Sequence, residues 1–192
     1  MNLAETASIF AETLLADYLA KQPGASAADI LGSAWSDAQY AAVFLLNVPA
    51  RFAFEKEFYG RRCEGPLAPS ALSTLMGETW KEYYGDALSE YDSGLWRSKP
   101  HFYKTGTSFY NFPYIFGYLF SLGVYAMAEG LGDDFIASYR GLLLDSGRME
   151  SEELAEKHLG ADLKKPDFWK ASISIIERKI ARFESIVNRI RS

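Results

Sequence analysis

The sequence predicts an all-α fold, a multi-helix bundle, and three observations carry that prediction. Apolar residues recur at spacings of three and four along most of the 192 residues, the period of a helix that buries one face. Runs that alternate apolar and polar residues, as a half-buried strand would, are hard to find. A hydrophobic fraction of 48% beside 23% charged residues belongs to a packed globular chain rather than a disordered one. A chain of this length can form one well-packed domain, burying roughly 70 per cent of its unfolded surface. Residues 1–192 read as that single domain, with no internal repeat, low-complexity segment or linker.

Each element has local reasons. A first helix is predicted from about Leu3 to Lys21, with Leu3, Ala7, Phe10, Leu14 and Tyr18 apolar and Pro23-Gly24 as its stop. Glu5 and Glu12 fall nearly on one face of it. Ser26 with Asp29 reads as the N-terminal cap of a long helical stretch to about Gly60, which Pro49 should kink or divide because proline removes a backbone donor. Gly65-Pro66 and Pro69 mark a loop. Ser70 is expected to cap a helix running to about Tyr84, where Gly85 stops it. Asp92-Ser93-Gly94 reads as a turn, and Lys99-Pro100 breaks any helix before His101, which places that histidine on a loop or at an element's edge. Gly106 makes this loop a candidate for movement on substrate binding.

Pro113 suits the first turn of a helix continuing to about Glu129, with Tyr114 and Tyr118 on one face and Tyr110 in the turn ahead. Gly130 to Asp133 separates it from a short helix at about Asp133 to Leu144. Ser151 to Leu159 forms another, its acidic first turn favoured by the positive helix end. The last helix, about Asp167 to Arg191, sets Ile173, Ile176, Ile180, Phe183, Val187 and Ile190 in an apolar seam. Arg178, Lys179, Arg182, Arg189 and Arg191 are expected on its solvated face.

Composition excludes several functions. A net charge of -5 argues against a nucleic-acid binder. The lone cysteine, Cys63, rules out an internal disulfide and fits a reducing compartment; beside Arg61, Arg62 and Glu64 it reads as part of a solvated helix end rather than as a nucleophile. The first twenty residues carry Glu5, Glu12 and Asp17 and show no signal-peptide pattern. The most apolar run, Tyr114 to Ala128, is shorter than the ~20 residues of a membrane span, so it reads as a buried helix.

His101 to Phe120 (HFYKTGTSFYNFPYIFGYLF) is the segment richest in chemistry: nine aromatic residues and one of the chain's two histidines. Four of the nine are tyrosines, whose hydroxyls need partners when buried. The longer stretch PHFYKTGTSFYNFPYIFGYLFSLGVYA resembles the His/Tyr segment of the oligoendopeptidase F branch of the thimet oligopeptidase-like zinc metallopeptidases. Asn2 to Glu12 (NLAETASIFAE) resembles the helix that brings that family its glutamate zinc ligand. RFAFEKEFYGRRCEG, the EYYGDAL around Tyr84 and EELAEKHLGADLKKPDFW are similar to further family segments in the family's order, so the resemblance covers nearly the whole chain.

The resemblance implies the C-terminal part of a helical metallopeptidase catalytic domain that hydrolyses oligopeptides in the cytoplasm. Glu5 would be the third zinc ligand, completing a His, His, Glu set with the fourth position left for the attacking water. Zinc lowers the pKa of that water towards ~7 and polarises the peptide carbonyl. Glu12 would orient Glu5. His101, Tyr110 and Tyr118, with Tyr114 beside them, would line the cleft and stabilise the oxyanion. The family's His-Glu-x-x-His helix does not occur in this sequence: His101 and His158 are its only histidines and cannot form a helical i, i+4 pair.

The expectation is therefore a fragment, either a truncated form or a cut product, with Met1 an added start. On its own it should be inactive and should not hold zinc tightly. Its expected partners are oligopeptide substrates and the missing N-terminal part of the enzyme, with self-association through the exposed half-site, no nucleic acid and no membrane. The alternative is a non-catalytic helical module derived from the peptidase, binding peptides or a partner without cutting.

Overall fold

The computed structural model describes all residues except Met1, Pro23, Ala25, Asp133 and Ser192, and the side chains of residues 129–131 also lie outside the description. The expected added start at Met1 and the predicted boundaries at Pro23 and Asp133 thus fall outside the described residues. The chain is helical throughout, with no strand among the described residues. The helices are α1 (Thr6–Ala20), α2 (Ala27–Ala42), α3 (Val48–Arg62), α4 (Pro69–Tyr84), α5 (Leu95–Ser98), α6 (Phe112–Leu131), α7 (Asp134–Asp145), α8 (Ser151–Leu159) and α9 (Pro166–Arg191). A π-helical turn, Val43–Asn47, joins α2 to α3, and a 3₁₀ turn, Pro100–Tyr103, precedes α6.

Local signals account for most boundaries. The Ser26 hydroxyl accepts the Asp29 amide at 3.1 Å while the Asp29 carboxylate accepts the Ser26 amide at 3.3 Å, a reciprocal cap for α2. Gly85 ends α4 at φ 57°, and its amide donates to the Lys81 carbonyl at 2.9 Å. Ser70 is not the α4 cap: Pro69 takes the first helical position and Ala68 is the extended residue before it. The long helical stretch is divided just ahead of Pro49, which stands in the first turn of α3. The π turn ends with the Val48 amide donating to Val43, five residues back, and this wider loop of backbone accommodates the proline that follows.

By contact the chain divides into two units, residues 1–41 with 116–192, and residues 42–115. The core of the first joins α1, α6, α7, α8 and α9. Phe10 of α1 packs its ring on Tyr125 of α6 and on Phe135 and Tyr139 of α7. The Ser121 hydroxyl of α6 donates to the Thr6 carbonyl at 3.1 Å. Phe120 lies 5.5 Å from the ring of Phe168 on α9.

Two predicted faces are corrected here. On α1 the buried residues are Thr6, Ile9, Phe10 and Thr13, whereas Leu14 and Tyr18 are exposed. On α9 the buried residues are Phe168, Ser172, Ile175, Ile176 and Ile186, and Ile173, Ile180 and Ile190 are exposed. Ser172 turns inward because its hydroxyl is satisfied within the helix, donating to the Phe168 carbonyl at 3.1 Å. Lys179 leaves the solvated face to pair with Asp37 of α2 at 2.8 Å, both side chains largely shielded from water.

The second unit packs α3 on α4 through Ala50, Phe54, Leu75, Met76 and Trp80. Phe58, Leu72, Trp96 and Phe102 close over that core. The Asp92-Ser93-Gly94 turn forms as predicted; the Asp92 carboxylate accepts the Gly94 amide and its carbonyl accepts the Trp80 indole at 2.9 Å. No helix among the described residues is long and apolar enough to cross a membrane.

Candidate active site

Within the 42–115 unit the structure gathers three of the predicted site residues. His101 sits in the 3₁₀ turn opened by Pro100, Tyr110 in the turn before α6, and Tyr114 in the first turn of α6, where Pro113 presets the backbone. The His101 Nε2 and the Tyr114 hydroxyl are 3.2 Å apart. The Tyr110 ring lies 5.4 Å from that of His101 and 5.8 Å from that of Tyr114, edge-on to the latter. The Lys104 ammonium lies 4.0 Å from the centre of the Tyr110 ring, a cation–π contact.

His101 is half-buried and its Nδ1 has no hydrogen-bond partner among the described residues. Burial lowers its pKa, and the charges of Lys99, Arg51 and Lys104 lower it further, so the imidazole is neutral at neutral pH. Its unfolded counterpart takes up a proton near about pH 6.5. Below that value the unfolded chain binds a proton that the folded chain refuses, so stability falls as pH drops through this window to the lowered folded value. Urea titrations from about pH 8 to about pH 5 should show a steeper stability loss in wild type than in His101→Gln. Equal slopes would mean that His101 titrates normally.

Glu55 of α3 holds the turn around Tyr110, and Arg51 is buried one helical turn before it; the sequence did not single out either. Glu55 is almost fully buried, at 2% exposure, and its carboxylate accepts the Phe109 amide at 2.8 Å and the Asn111 side-chain amide at 3.4 Å. Phe109 has φ 57°, a rare conformation for an aromatic residue, so a buried carboxylate pins a strained turn on either side of Tyr110. Arg51, one helical turn earlier and 5% exposed, donates from Nε to the Asn47 carbonyl at 3.4 Å. Burial lowers its pKa, while the phenols of Tyr114 and Tyr84 oppose that shift. The RFAFE string was the available signal, since arginine and glutamate four apart inside an aromatic helix face are placed to be buried together.

The remaining predicted residues lie in the other unit. Glu5 is half-buried and stands at the N-cap of α1 rather than inside the helix, with the Ser8 hydroxyl 3.4 Å from its carboxylate. Gly117 of α6 makes room for it: a Cβ there would lie 3.2 Å from the Glu5 Cβ and 3.3 Å from the Asn2 carbonyl. Glu12 is exposed on α1. Tyr118 is 4% exposed, and burial together with the Asp37 carboxylate pushes its phenol far above the ordinary tyrosine value. It is therefore protonated at any working pH.

His158 is committed elsewhere, with its Nε2 2.8 Å from the Asp145 carboxylate and its ring so close over Gly141 that a Cβ there would lie 2.7 Å from it. Among the described residues no group of three or more His, Cys, Asp or Glu side chains could hold a metal ion. Glu5 offers a single carboxylate, where a catalytic zinc site takes three protein ligands.

Over 97% of its length the chain matches the crystal structure of a candidate peptidase from Chlamydophila abortus, with a TM-score of 0.77 and 24% sequence identity. The helical fold is shared. The chain spans 31% of that protein's length. No family model matches the chain, and no curated protein matches it. His101, Tyr110, Tyr114 and Tyr118 thus sit on the helical scaffold shared with that structure, with the first three in mutual contact and Tyr118 buried beside Asp37.

Proposed function

We propose that this chain is the C-terminal part of the catalytic domain of a zinc metalloendopeptidase of the oligoendopeptidase F type, cutting oligopeptides in the cytoplasm. The observation that supports it best is the fold shared with a candidate peptidase over nearly the whole chain. The family resemblance of the His/Tyr segment and of the Glu5 segment points the same way. On this reading Glu5 is the third zinc ligand, Glu12 helps to orient it, and two imidazoles come from a His-Glu-x-x-His helix outside this sequence. Zinc, when bound, supplies an acidified water and polarises the scissile carbonyl.

The chain's own groups then act as donors. In the Nε2–H tautomer His101 donates to the Tyr114 oxygen and turns the phenolic proton away from the ring, the orientation that donation to a developing oxyanion needs. A neutral imidazole and protonated phenols can stabilise that charge without first losing a proton. Tyr110 braces the pair, and Tyr118 contributes from α6. The exposed Leu14, Leu15, Tyr18 and Leu19 of α1 are where the remainder of the enzyme packs, and left uncovered they would draw copies of the chain together.

Zinc content tests the reading. The full-length protein should hold about one zinc per chain and lose both metal and peptide hydrolysis in Glu5→Gln, whereas residues 1–192 alone should hold almost none after desalting. Tight zinc on this chain alone, or full zinc retention by Glu5→Gln, would overturn it. A full-length protein that binds peptides uncut and holds no zinc would instead be the helical binding module.

A further inference from the structure

Both oxygens of the buried Glu55 carboxylate are spent on the two residues that flank Tyr110: Oε1 accepts the Phe109 amide at 2.8 Å and Oε2 the Asn111 side-chain amide at 3.4 Å. Asn111 is fully buried and is the residue before α6. An asparagine there ordinarily caps the helix, its side-chain oxygen accepting one of the first helical amides. Here the Oδ1 atom is buried with no hydrogen-bond partner among the described residues, and the side chain faces Glu55 through its nitrogen. The Asn111 carbonyl accepts the Tyr114 amide at 3.3 Å, and the Phe109 carbonyl accepts the Phe112 amide at 3.1 Å. The two residues held by Glu55 thus set the backbone of Tyr110, which lies between them, and that of Tyr114, one turn into α6. Phe109 stands at φ 57°, a conformation that an aromatic residue seldom adopts. A forgone cap, an unmet buried oxygen and a strained turn all lower stability, a combination found where geometry serves a site.

We propose that Glu55 is a positioning residue of the candidate active site: by holding Phe109 and Asn111 it sets Tyr110 against His101 and fixes where the start of α6 presents Tyr114. Its carboxylate touches no reacting atom and acts through the two tyrosines. The His101 ring lies 5.4 Å from that of Tyr110 and 5.7 Å from that of Tyr114, and its Nε2 is 3.2 Å from the Tyr114 hydroxyl, so a shift of the turn disturbs all three groups together. A donor misplaced by about 1 Å can lower a rate about a hundredfold. The inference deepens the peptidase reading and rests on it for the reaction, though not for the geometry.

Three variants of the full-length protein test it. Glu55→Gln keeps the length and one acceptor but turns an amide nitrogen towards one of the two donors. Asn111→Asp sets a second carboxylate opposite Glu55. The double variant exchanges donor and acceptor, since the glutamine can accept the Phe109 amide and donate to the aspartate. Each single variant should lower kcat for peptide hydrolysis about tenfold or more with KM within about twofold of wild type, and the double variant should regain most of the lost rate. A second readout needs no cleavage: the ring-proton resonance of His101, identified by its loss in His101→Gln, should move in both single variants and return towards its wild-type position in the double one. If Glu55→Gln fails to fold, Asn111→Ala takes its place; it removes one of the two Glu55 contacts and should show a smaller fall in kcat at unchanged KM. An unchanged kcat or an unmoved resonance in a folded single variant, or losses that simply add in the double variant, would overturn the proposal and leave the peptidase reading intact. A protein that cuts no peptide but shows the resonance shift and its recovery would count against the peptidase reading and leave Glu55 as the group that sets the His101 cluster.

Discussion

Tyr114→Phe in the full-length protein should lower kcat for peptide hydrolysis by about a hundredfold or more and leave KM nearly unchanged, because only the transition state carries the charge that its hydroxyl would meet. The His101 Nε2 lies 3.2 Å from the Tyr114 hydroxyl, which is why this tyrosine is the first to test. Tyr103→Phe is the matched control: it lies on the same 3₁₀ turn as His101 but is 58% exposed, and its kcat should not change. Tyr118→Phe should also reduce kcat if its buried phenol reaches the reacting carbonyl, and an unchanged kcat would leave the task to the His101 cluster. A Tyr114→Phe protein with wild-type kcat would remove Tyr114 from the chemistry.

Gly123→Ala should destabilise the fold by about 1–3 kcal/mol, and by more if the neighbouring ring cannot shift. A Cβ at this position of α6 would sit 2.3 Å from the tip of the Phe168 ring and 2.5 and 2.8 Å from the flanking carbons. Phe168 cannot swing aside freely, because it is 7% exposed and packed against Phe120 and Trp169. Helix propensity alone would predict the opposite sign, a gain of up to about 1 kcal/mol. Gly32→Ala in α2, where no atom lies within 4 Å of the added methyl, should show that gain. Chemical denaturation of the two variants decides the matter: equal effects would mean that the Gly123 contact is not tight. Restoring space with Phe168→Leu should recover part of the loss in a non-additive way.

The helices were legible because their signals are local. The Ser151–Leu159 helix was predicted to the residue, and the Ser26–Asp29 cap, the Gly85 stop and the Asp92–Gly94 turn all formed. Pro49 marked the division of the long stretch, but the form of the break, a π turn that adds the backbone the proline requires, was not readable from the string. The candidate site was legible in composition but not in partnership. A histidine among tyrosines pointed to a cluster, yet nothing in the string separated Tyr110 and Tyr114, which touch His101, from Tyr118, which lies in the other unit beside Asp37. Arg51 and Glu55 were missed for a physical reason: charged residues on an amphipathic helix read as solvated, and only the elements packed over them show that they are not.

What the sequence determined by itself was the helical class, the caps and stops, and the aromatic character of residues 101–120, all of which depend on a few neighbouring residues and on periodicity. The tertiary structure alone decided which faces were buried. On α1 and α9 the apolar stripes are broad enough to be turned either way, and the choice fell to what packs on them: Phe10 under Tyr125 and Tyr139, Phe168 over Gly123, and Lys179 drawn in by Asp37. It also decided that a buried glutamate would pin the turn that carries Tyr110, and that an arginine one helical turn before it would be buried as well. Burial is a property of the assembled chain, since desolvation depends on every element packed around a group and not on its neighbours in sequence.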